Sequence, residues 1–192
     1  MPSTSFREWT TVRSDALDEM VQAHAAVGGS RRGRRYATQQ INRSYAVLLA
    51  SQFQGFCRDL HSECVDHLTN SLAPAALQPI IRSEFTRSRH LDRGNAQQKS
   101  IGADFGRLGV DFWRRVDAHH AGNPARKAII AVLNSWRNAI VHQDFDPTQL
   151  GGTTILRLST VRQWRRECGQ LARSFDEVMR HHLQSLTGAS PW

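Results

Sequence analysis

Between about Tyr36 and Asn70 one pattern persists longer than any other in the chain. Ile41, Tyr45, Leu48, Phe56, Leu60, Cys64 and Leu68 follow one another at steps of three or four, with a single gap at Gln52. Such steps place side chains on one face of an α-helix. A helix of this length buries its stripe only against other elements, and the remaining segments also read as helices. The expected class is therefore all-α, a bundle of five or six helices.

The remaining boundaries follow from local signals. A first helix is predicted over about Arg7 to Val27, ended by Gly28-Gly29-Ser30. Pro74 and Pro79 mark the entry to a segment reaching Arg87, and residues 88–103, polar and weakly patterned, read as a loop. A helix over about Asp104 to His119 is weakened by Gly106 and Gly109. Asn123 as cap and Pro124 at the first helical position start another, running to about Val141. Asp146-Pro147 closes it, because a residue before proline avoids the α region. Gly151 to Leu158 is a candidate extended segment, with a short strand or arm near 153–158. Thr160-Val-Arg-Gln163 fits a capping box for a last helix to about Leu186. No repeat or linker divides the chain, so residues 1–192 are expected to form one domain.

Composition bears on the partner. Hydrophobic residues make up 40% of the chain and charged ones 22%, as in an ordinary folded protein. The net charge of +8 comes from 23 arginines against only two lysines, Lys99 and Lys127. Arginine-rich codon usage is one source of such a bias. An anionic partner is the other, since guanidinium forks match phosphate oxygens in pairs. Arg31, Arg32, Arg34 and Arg35 form the densest cluster, either a solvated loop or a set of RNA phosphate contacts beside Tyr36.

The first residues lack the apolar core of a signal peptide, and the longest apolar run, Tyr45 to Ala50, is far too short for a membrane span. Three sparse cysteines suit a reducing compartment, so a cytoplasmic protein is expected. Walker-A and dinucleotide-binding glycine patterns are absent, as are His-Glu-x-x-His and Cys-x-x-Cys. Cys57, His61 and Cys64 share a helix face at a spacing open to a metal, but buried thiols more often fill cores. No metal or other cofactor is expected. His119-His120 and His181-His182 are placed at helix ends, where the dipole favours them.

The stretch Ser135-Trp-Arg-Asn-Ala-Ile-Val-His142 carries the functional signal. Ile129, Val132/Leu133, Trp136 and Ile140 form the inward stripe, and Arg137 sits at its border. In a continuous helix Arg137 and His142 stand about 140° apart and cannot meet. They converge only if the helix loosens after Ile140, or if each meets its counterpart from a second chain. The bland alternative pairs Arg137 with an acid such as Asp144 and leaves His142 to cap the helix.

Arg137-Asn138-Ala-Ile-Val-His142 resembles the Arg–polar–x–x–x–His signature of HEPN domains, small all-α ribonucleases of toxin–antitoxin and phage-defence systems. The long helix adds to the likeness. An apolar stretch leads into Phe53-Gln54-Gly55-Phe56, similar to the Phe/Trp-Glu-Gly-Phe turn of the RiboL-PSP-HEPN subgroup, and the likeness covers about residues 36–185. Gln54 departs from the family's glutamate: it can still hydrogen-bond but brings no charge to orient the arginine.

The resemblance implies a metal-independent endoribonuclease acting as a homodimer. Arg137 would be the electrostatic clamp and His142 the proton-transfer group, with Asn138 and Gln54 in support. A free imidazole titrates near neutrality, and a guanidinium stabilises charge growing on phosphoryl oxygens. A cognate antitoxin is implied as a possible partner. The alternative is a HEPN-like module without catalysis that binds a nucleotide, RNA or another partner.

Overall fold

A computed structural model describes residues 1–27 and 35–192, Arg35 by its backbone alone. Its helices are α1 (Thr4–Thr10), α2 (Val12–Val27), α3 (Arg35–Leu72), α4 (Gln78–Thr86), α5 (Gln98–Gly106), α6 (Phe112–His119), α7 (Asn123–His142) and α8 (Leu158–Thr187). Single 3₁₀ turns lie at Ala75–Leu77 and His90–Asp92. The protein is an all-α bundle, and no strand occurs among the described residues.

The long helix is the axis of the bundle. α3 packs against α1, α2, α7 and α8, and α1 also touches α8. Its buried arc is accordingly wider than one stripe: Tyr45, Leu49, Phe53, Phe56, Leu60 and Cys64 are all buried. Leu49 and Phe53 span the gap at Gln52, which is only half-buried. The core centres on Phe175 of α8, whose ring lies 4.8 Å from Phe112, 5.5 Å from Trp113 and 6.0 Å from Phe53.

Several boundaries differ from the sequence reading. The expected first helix is two, broken at Thr11. Carboxylates from distant helices fix α1 in place: Glu63 accepts from the N–H of Thr4 (2.9 Å) and Ser5 (3.0 Å), and Asp176 accepts from Ser3 (3.1 Å). Within 88–103, read as loop, α5 begins at Gln98. The helix expected over 104–119 is interrupted between α5 and α6, where Gly109 takes φ +77°. No strand forms over 153–158: residues 153–157 are irregular and α8 starts at Leu158, so Thr160 lies inside the first turn instead of capping it. Gly122, not Asn123, caps α7; Asn123 is buried and ties its Nδ2 to Val116 O (2.7 Å). His181 and His182 lie within α8, and His182 is buried with its Nε2 on Leu108 O (2.9 Å).

Candidate functional site

α7 carries the motif to its last residue. The helix does not loosen after Ile140: it continues to His142 and stops because Gln143 turns left-handed (φ 55°, ψ 31°) and the Asp144 N–H folds back onto Ala139 O at 3.0 Å. The stop thus precedes Asp146-Pro147. Phe145 turns back to pack on the core, and the Arg43 guanidinium lies 4.1 Å over its ring. Arg137 and His142 consequently remain about 140° apart on a regular helix. One chain does not bring them together.

Each is nonetheless available. His142 is exposed and lines a cavity of about 220 Å³ with Ser135, Asn138, Asp144, Asp146 and Gln149. Arg137 is half-buried and has no carboxylate partner among the described residues; its side chain donates from Nη1 to Asn138 Oδ1 at 3.2 Å. The alternative pairing with Asp144 does not form. Val141, 48% exposed, sits between the two in helical angle, an apolar residue open on the last turn.

Asn138 is the hinge of the arrangement. Its Oδ1 also accepts from Asn95 Nδ2 at 2.7 Å. A second cavity, of about 310 Å³, shares Ser135 and Asn138 with the first and extends to Gln98 and Lys99 at the start of α5. The two cavities thus adjoin along a polar stripe of α7 (Asn134, Ser135, Asn138, His142), a groove that they share at Ser135 and Asn138. The segment before α5 clasps this stripe. Asn134 Nδ2 donates to Ala96 O (3.0 Å), and Asp104 accepts from the N–H of His90 (2.9 Å) and Leu91 (2.8 Å). Arg89 is buried and bonds Arg58 O, Ser62 and Asp92.

Gln54 belongs to this clasp rather than to the arginine. Its Nε2 donates to Leu91 O at 2.8 Å, so its support reaches Asn138 only through the 91–95 backbone. Gly55 beside it serves close packing, since a Cβ there would stand 2.6 Å from the Arg13 guanidinium, which pairs with Asp59. Asn95, Asp104 and Arg89 were not singled out in the sequence. Their signal is long-range, and no periodicity marks them. Arg31, Arg32 and Arg34 lie outside the described residues, as does the Arg35 side chain.

Electrostatically the groove is mixed. Asp144 and Asp146 flank His142, and the Thr148 hydroxyl and N–H hold the Asp146 carboxyl below its ordinary range. The Cys57–His61–Cys64 face is core: both thiols are buried and pushed up by desolvation. The His61 ring is already engaged, Nε2 on Asp104 O (3.1 Å) and Nδ1 facing Arg89 Nη1 (3.4 Å).

Burial and the nearby Arg89 charge lower the His61 pKa from 6.5 to about 4. Between those values the unfolded chain binds the proton and the fold does not, so stability is complete above pH 6.5 and falls as pH drops towards 4. The loss through this one ring is about 3 kcal/mol. In urea titrations at pH 7 and pH 4.5, His61→Asn is expected to be less stable at neutral pH but to show a smaller difference between the two. An unchanged pH difference would exclude His61 as the source.

No protein-family model matches the chain, and neither the curated proteins nor the solved structures yield a match. No described helix is long and apolar enough to cross a membrane.

Proposed function

We propose that this protein is a metal-independent endoribonuclease of the HEPN kind whose active site forms only when two copies meet along α7. The observation that supports it is the end of that helix, where an arginine without an acidic partner among the described residues and an accessible histidine flank an open, apolar last turn. A two-fold axis near Val141 sets Arg137 of one chain towards His142 of the other. The 2′-oxygen attacks the adjacent phosphorus, the P–O5′ bond breaks, and the proton lost by the 2′-hydroxyl ends on the 5′-oxygen. His142 carries that proton. Arg137 stabilises the charge growing on the phosphoryl oxygens, and Asn138 holds the phosphate. The net charge of +8 draws the polyanion in. The family resemblance extends the reading to a toxin or phage-defence nuclease restrained by an antitoxin, in the cytoplasm.

Incubation of the purified protein with single-stranded RNA in the presence of a chelator is expected to give fragments ending in 2′,3′-cyclic phosphate. RNA methylated at its 2′-oxygens should stay intact. If the unmodified RNA also survives, the nuclease reading falls.

A second reading, a non-catalytic binding module of the same fold, draws on the two carboxylates beside His142, which repel a phosphate backbone. It predicts intact RNA and a partner whose binding survives alanine at Arg137 and His142.

A further inference from the structure

A separate cavity, of about 720 Å³, lies where the start of α3 meets the irregular residues 154–157 and the first residues of α8. The two walls are stitched together. Asn42 Nδ2 donates to Leu156 O at 2.8 Å, and the Gln39 amide, turned to its hydrogen-bonding orientation, accepts from Leu156 N at 2.9 Å. Two buried polar atoms in these walls have no partner among the described residues: Asn42 Oδ1, on a residue only 5% exposed, and Arg43 Nε. One is an acceptor and the other a donor, on adjacent residues. A buried polar atom left unmatched is costly, so a ligand group that matched this pair would remove that cost.

The rest of the lining narrows the ligand. Tyr36 (74% exposed) and Ile155 (65%) present bare apolar surface, Arg157 is exposed, and no carboxylate lines the cavity among the described residues. An aromatic platform, an adjacent donor and acceptor, and uncompensated guanidinium charge together match one nucleotide of a single strand. Every base has a π-face and an edge carrying both donors and acceptors, and its phosphate carries the negative charge. The position also fits. Arg43 lies over Phe145, whose chain neighbours Asp144 and Asp146 line the His142 cavity, so one stacked contact links the two sites.

We infer that this cavity holds an unstacked base of single-stranded RNA, with the base on Tyr36, its edge on Asn42 and Arg43, and the phosphate on Arg157. This rests on the RNA reading above, though not on cleavage. The test uses the His142→Ala protein and a fluorescein-labelled single-stranded RNA of about 12 nucleotides, followed by anisotropy. Tyr36→Ala and Arg157→Ala, both at exposed positions and hence neutral to folding, are each expected to weaken binding ~10-fold. Arg114→Ala, exposed on α6, is the control for general charge loss and should change it ~2-fold or less. If both variants bind like the control, the assignment is overturned, whether or not the native protein cuts RNA. If they bind weakly while the native protein leaves RNA intact, the assignment holds and the nuclease reading is lost.

Discussion

Two inactive proteins, Arg137→Ala and His142→Ala, are expected to regain activity when mixed. Each variant alone should lose about 10²–10⁴-fold in cleavage rate, the range for removing a positioned proton-transfer group or a donor aimed at developing charge. α7 remains regular to His142, so the two side chains of one copy point to different sides, and the proposed site draws one of them from each copy. Random reassortment makes half of the dimers mixed, and each mixed dimer keeps one of its two composite sites. Activity should therefore return to about a quarter of the native value. A mixture as dead as its components would exclude the composite site, and a fully active single variant would remove that residue from the chemistry.

Phe175→Ala should have the largest effect on stability. Its ring is fully buried and faces Phe53, Phe105, Phe112 and Trp113, so it joins α3, α5, α6 and α8 at one point. Four elements cannot all move in to fill the void, which places the cost at the upper end of the ~3–5 kcal/mol seen for Phe→Ala. For a chain of this size that lowers Tm by about 10–20 °C, a large part of the ~5–15 kcal/mol that holds a domain folded. Thermal unfolding followed by circular dichroism measures it. A drop of only a few degrees would mean that the aromatic cluster is not the common anchor of these helices.

The parts of the fold that the sequence disclosed are those stabilised by their own periodicity. The α3 stripe and the Trp136–Ile140 face could be placed because each buries a run of apolar residues at helical spacing. The placement of α1 could not be read this way, because Glu63 and Asp176 anchor its first residues from elsewhere in the chain. α5 was missed for a related reason. It buries only Ile101, Asp104 and Phe105, and its Gly102 leaves room for Trp113, from which a Cβ would stand only 2.8 Å. The candidate site divides in the same way. Arg137, Asn138 and His142 are legible as a local motif. Asn95 and the turn that holds it are not, because their hydrogen bonds span some forty residues.

Asn138 shows what that clasp does to the chemistry of the groove. A carbonyl oxygen has two lone pairs, and here Asn95 and Arg137 occupy both. The amide is thereby locked with its nitrogen towards whatever enters, able to give hydrogen bonds and unable to receive them. A phosphoryl oxygen meets a complementary group there, whereas a hydrated cation or an ammonium meets hydrogens of its own sign. Residues forty positions upstream thus set the polarity that the groove floor presents.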